Sequence, residues 1–176
     1  MEFTFIDRWL HILAGVTWIG LLYYFNFVQA QAMGAAGADK DGPGPAAIGK
    51  YVAPRALLWF RWSALVTWLT GAYYLAAGPG YSLGGAFSLG MGAGSAQLTG
   101  IGIGAWLGTI MLFNVWVLIW PNQKKILGIV PATDEEKASA KRIAFLASRS
   151  NVMMSLPMLF FMQGAAHTVQ LEQFIR

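Results

Sequence analysis

Four apolar stretches, Leu10–Val28, Leu57–Ala77, Ile101–Trp120 and Val152–Val169, take up much of the chain. At about 1.5 Å of rise per helical residue, each is long enough to cross about 30 Å of hydrocarbon. Inside lipid, a backbone without water must pair its own N–H and C=O groups, and in an open chain only helices do so. The stretches therefore predict an all-α integral membrane protein: a four-helix transmembrane bundle, one membrane domain over 1–176 with helices at 9–30, 56–78, 101–121 and 148–171. Charged residues make up 11% of the chain, against about 25% in a soluble domain, so lipid is the expected solvent. The first stretch is expected to be retained. Ala30-Gln31-Ala32 is like a signal-peptide cleavage site, but Glu2, Asp7 and Arg8 make a poor positive leader and the apolar run is too long.

The net charge of +4 is unevenly placed. Lys40, Lys50, Arg55 and Arg61 lie between or at the edges of the first two stretches; Lys124, Lys125, Lys137, Lys141, Arg142 and Arg149 lie between the last two. Ten of twelve basic residues thus fall on one side, leaving Arg8 and Arg176 on the other. The positive-inside rule makes those loops cytoplasmic and both termini periplasmic, as in a multi-pass protein of the bacterial inner membrane. The charge is expected to meet the lipid bilayer, not nucleic acid. With no cysteine in the sequence, disulfides, thiolate metal sites and covalent c-type haem are excluded.

Between the helices, residues 33–50 read as a flexible cytoplasmic linker rich in Gly, Ala and Pro, and Asp134–Arg142 as a short surface helix, acidic at its start and basic at its end. Residues 78–100 carry no charge and are expected to rest on the membrane surface or to bind a partner. Trp9, Trp59, Trp62, Trp106 and Trp120 read as interfacial belt residues, with Trp18 and Trp68 deeper. Gly100, Gly104 and Gly108 recur every fourth residue, either to let helices pack closely or to give a flat wall to a planar cofactor.

The only histidines are His11, near the periplasmic start of the first helix, and His167, near the periplasmic end of the fourth. Antiparallel helices bring both to similar depth, and polar groups within a membrane are usually functional. Two neutral imidazoles facing an apolar slot are what a six-coordinate haem b needs, with Gly104, Gly108 and Trp18 as further cofactor contacts. The alternatives are histidines that hydrogen-bond neighbouring helices, or another metal or substrate site. A second constellation, Asn26, Arg61, Asn114 and Asn151, occupies the cytoplasmic half. It reads either as interhelical hydrogen bonding beneath a snorkelling arginine, or as a polar pocket for an anionic or quinone-like ligand. Pro157 is expected to interrupt the fourth helix.

The runs HILAGVTWIGLLYY (His11–Tyr24), WFRWSALVTWLTG (Trp59–Gly71), GTIMLFNVWVLIWPNQKK (Gly108–Lys125) and RSNVMMSLPMLFFM (Arg149–Met162) touch all four helices. Through them the chain resembles the N-terminal membrane domain of the bacterial membrane-bound urate oxidases, in which that domain is joined to a periplasmic cytochrome c. The Asn114…Pro121-Asn122-Gln123-Lys124 run is the most specific element. The chain is shorter than the family's membrane domain, and His167 aligns with a family histidine after a one-residue shift. His11–Tyr24 is also similar to one helix of the haem-binding bacterial protoporphyrinogen oxidases.

The leading expectation is a membrane b-type cytochrome-like electron-transfer protein, its haem held by His11 and His167, serving a periplasmic cytochrome c or a larger membrane redox complex. An oxidase of a urate-like heterocycle or a porphyrinogen, and a non-redox accessory subunit, are the alternatives.

Overall fold

A computed structural model describes residues 2–91 and 95–166, with side chains described for 5–91 and 95–164. The fold is all-α, without a strand among the described residues. Helix α1 (Glu2–Tyr23) passes into a π-helical segment (Tyr24–Gln29) and on into α2 (Ala30–Ala38). A second π segment (Ile48–Val52) leads into α3 (Ala53–Ala77), and the short α4 (Leu83–Phe87) follows. Helix α5 (Ala96–Phe113) continues through a third π segment (Asn114–Ile119) into α6 (Trp120–Ile126), and α7 runs from Asp134 to Ala166.

Three helical runs are long and apolar enough to cross a membrane: Phe5–Ala38, Ala96–Ile126 and Asp134–Gly164. The stretch assigned to a fourth crossing lies in α3, which is not among them, because Arg61 and the tryptophans, tyrosines and threonines around it dilute its hydropathy.

Two expected interruptions are absent. The charged surface helix and the last apolar stretch form one helix, α7, which is continuous through Pro157. Its start is a capping box: Thr133 Oγ1 accepts from the Glu136 N–H at 3.2 Å, and Glu136 Oε2 accepts from the Thr133 N–H at 2.9 Å. The expected linker is also part helix, since α2 reaches Ala38 and helical structure resumes at Ile48.

The chain divides into two units. The first comprises Met1–Ala14, Leu65–Leu112 and Met153–Arg176. Its core joins Leu75, Ala86 and Ala105, with Tyr81, Phe87, Ile101 and Met162 packed around them. Here the uncharged segment expected to rest on the membrane or bind a partner is partnered by its own chain. Ser82 caps α4 by accepting from the Gly85 N–H at 3.0 Å. Trp106 Nε1 donates to the Phe87 carbonyl at 3.0 Å and Thr99 Oγ1 to the Leu89 carbonyl at 2.8 Å, tying α4 and its following turn to α5. Gly102 permits this approach, since a Cβ there would collide with the Ala86 carbonyl oxygen.

The second unit comprises Gly15–Ala64 and Phe113–Val152. Trp18, Leu22, Leu57, Phe60, Ala64, Val115 and Ile119 are buried in it, together with Asn26, Ser63, Asn114 and Asn151. All ten basic residues of the predicted cytoplasmic side belong to this unit.

Beside its apolar core, each unit buries polar side chains and exposes large apolar ones. Asp7, Thr67 and Ser155 are buried in the first while Phe5, Trp9 and Met153 are exposed, Met153 by 75%. In the second, Asn151 is fully buried while Val16, Trp59 and Phe145 face outward. Water would penalise this arrangement; lipid accepts the large apolar side chains and drives the polar ones to pair inside.

Candidate functional site

In the first unit, His11 sits on α1 against α3. Its Nδ1 lies 2.8 Å from the Thr67 carbonyl oxygen and 3.3 Å from Thr70 Oγ1. A carbonyl only accepts, so Nδ1 carries a proton; in the neutral imidazole Nε2 is then the lone-pair nitrogen. Thr70 Oγ1 donates in turn to the Val66 carbonyl at 2.7 Å. Gly71 lets the ring approach α3 closely: a Cβ there would stand 2.9 Å from His11 Cε1. A proton fixed on Nδ1 by a backbone carbonyl is the arrangement that orients a histidine for ligation through Nε2. The donor set thus fits one axial position of a haem. The second histidine, His167, lies outside the described residues.

Asp7 stands one helical turn before His11, on the same face of α1. It is only 8% exposed, and its Oδ2 has no partner among the described residues. In the sequence Asp7 bears on the leader, and its four-residue spacing from His11 is visible there. Thr67, Thr70 and Gly71 were missed, because threonine and glycine are too common in membrane helices to stand out.

The glycine stripe divides in two. A Cβ on Gly104 would lie 3.1 Å from Met162 Cγ, so that position serves close packing. Gly108 is buried, yet a Cβ there would meet nothing within 4 Å, so α5 borders open space at that point. Just beyond, Trp68 Nε1 donates to Thr109 Oγ1 at 2.9 Å.

The second unit contains the polar constellation. Asn26 Nδ2 donates to the Leu22 carbonyl at 2.8 Å and to Ser148 Oγ at 2.7 Å. Asn114 Nδ2 donates to Asn151 Oδ1 at 2.8 Å and is 3.3 Å from Ser150 Oγ. Asn26 and Asn114 each lie in a π segment, and both bond to one short stretch of α7. Arg61 makes other contacts. Its guanidinium stacks 3.8 Å from the centroid of the Trp120 ring, and its carbonyl accepts from Trp116 Nε1 at 3.2 Å. Trp18, proposed from sequence as a cofactor contact, also belongs to this unit; it is 2% exposed, and its Nε1 has no partner among the described residues. No group of three or more His, Cys, Asp or Glu suited to a metal ion occurs among the described residues.

Residues 91–173 match the family described as urate oxidase N-terminal. Over that stretch the chain is urate oxidase N-terminal-like. The match covers a little under half of the chain: α5, the third π segment, α6 and α7. The urate oxidase N-terminal-like stretch therefore includes Gly104, Gly108, Asn114, Asn151 and His167, and leaves out His11, Trp18, Asn26 and Arg61. No curated protein and no solved structure matches the chain.

Proposed function

We propose that this chain is a membrane-embedded electron-transfer protein of the b-type cytochrome kind, with His11 as one axial haem ligand and His167 as the other. The observation that carries the reading is the His11 tautomer. The 2.8 Å bond to the Thr67 carbonyl fixes the proton on Nδ1, and Gly71 seats the ring, which leaves Nε2 free to ligate. A bound haem would supply one-electron chemistry. The protein's part is to orient the imidazole that would hold it.

The reading places four crossings in the bacterial inner membrane, with both termini periplasmic. Helix α3 is the fourth; its 25 residues span about 37 Å, more than the hydrocarbon core. The gathering of ten of twelve basic residues in one unit supports the orientation. A haem near the periplasmic face would exchange electrons with a periplasmic cytochrome c or a larger membrane redox complex.

The test is a pyridine haemochrome assay and a reduced-minus-oxidised spectrum of the purified full chain. A red protein whose low-spin signal is lost in both His11→Ala and His167→Ala supports the reading. A colourless preparation from haem-replete cells, or two alanine variants with unaltered spectra, refutes it.

A second reading, oxidation of a urate-like heterocycle at Asn26, Arg61, Asn114 and Asn151, draws on the hydrogen bonds that tie three of these residues to α7 and on the urate oxidase N-terminal match. It predicts urate consumption by the chain, lost in Arg61→Gln.

A further inference from the structure

The second unit brings two cations to one indole ring. Trp120, where the third π segment meets α6, has the Arg61 guanidinium 3.8 Å from its centroid and Lys124 Nζ at 5.9 Å. One turn earlier, Trp116 donates to the Arg61 carbonyl and meets Trp62 edge-on at 5.5 Å between centroids, which ties this stretch to α3. Arg61 and Lys124 thus share one indole ring, and α3 is tied to the segment before that ring by Trp116.

Neither cation has a carboxylate partner among the described residues. Lys125, beside Lys124, pairs with Glu136 at 3.6 Å, and Lys137 with Asp134 at 3.7 Å. Indole faces attract cations but do not cancel their charge. The surroundings screen poorly, since Leu58, Trp62 and Val117 expose 44–50% of their surface on the same elements. Two unneutralised cations beside an exposed apolar strip call for a ligand with an anionic head and an apolar body. A planar guanidinium fork with a point-charge ammonium suits the several oxygens of a phosphate.

We propose that Arg61 and Lys124, assembled on Trp120, bind the phosphate of an anionic phospholipid, with its acyl chains lying along Leu58, Trp62 and Val117. The apolar strip is what favours a lipid over a free phosphate. The site is independent of haem, and it gives Arg61 an occupant other than a heterocyclic substrate.

The experiment uses the purified full chain in neutral detergent. Native mass spectrometry and thermal unfolding would compare phosphatidylglycerol with phosphatidylcholine of the same acyl chains, with inorganic phosphate as the soluble anion. Phosphatidylglycerol should bind preferentially and raise the unfolding temperature, and each charge removed, by Arg61→Gln or Lys124→Gln, should cut that preference about fivefold. Lys124 is half-exposed, so Lys124→Gln keeps the test intact even if Arg61→Gln does not fold. An undiminished preference in Lys124→Gln overturns the proposal. So does equal protection by inorganic phosphate at the same concentration, which would make this a site for a soluble anion.

Discussion

Gly71→Ala tests the seating of His11 most directly. The added methyl would lie 2.9 Å from His11 Cε1 and 3.2 Å from Nδ1, so the ring must retreat about half an ångström to reach the 3.4 Å at which ordinary contact begins. Nδ1 is held at 2.8 Å by the Thr67 carbonyl, and a shift of that size carries the bond to the edge of useful geometry. The lost bond costs about 1 kcal/mol, and overpacking costs about 1–3 kcal/mol more. Replacing glycine within a helix returns about 1 kcal/mol. The expected net effect is destabilisation by about 1–3 kcal/mol. Equilibrium unfolding in mixed micelles would measure it, preferably as a double-mutant cycle with His11→Ala. Without the ring the methyl has nothing to strike, so Gly71→Ala should become neutral or stabilising in that background. A wild-type or higher stability of Gly71→Ala with His11 intact would refute the claim that the ring is clamped.

Two further outcomes follow from contacts in the structure. Asn114→Ala removes the 2.8 Å bond to Asn151 and the weaker one to Ser150; unfolding measurements should show a loss of about 1 kcal/mol, the low end for a buried amide because membrane hydrogen bonds average less than expected. Gly102→Ala must displace the Ala86 backbone and should cost about 1–3 kcal/mol, whereas Gly108→Ala opens on space and should stabilise by up to about 1 kcal/mol; equal effects in thermal unfolding would contradict the contrast between these two positions of α5.

What the sequence made legible was the cost of polarity in an apolar run. Asn26, Asn114 and Asn151 stand out because an amide in hydrocarbon needs a partner, and all three prove to be buried and bonded to other helices or to the backbone. Length and composition likewise announced helices that can cross a membrane. The serines of α7 did not stand out, because hydroxyls can bond their own helix anywhere, and nothing local marks Ser148 and Ser150 as partners of distant amides. The fate of Pro157 was also hidden. A proline lacks one backbone donor, but whether a helix ends there depends on what packs around it, and α7 carries on. For the uncharged segment before α5 the sequence left a membrane-surface loop and an outside partner both open, because it shows only the lack of charge; the contacts made through Gly102 and Trp106 within the chain were not visible in it.

The π segments give the chain a phase as well as a shape. A π turn closes its hydrogen-bonded ring one residue later than an α turn, so each segment takes up about one extra residue without breaking the rod. Everything after Asn114–Ile119 is therefore rotated by about 100° relative to an uninterrupted α-helix. Trp120 and Lys124 face the elements they do because of that offset. Losing a single residue in the segment would turn the face that meets Arg61 away from it while leaving the composition and hydropathy of the stretch almost unchanged. In this chain the exact length of an apolar run carries as much information as its content.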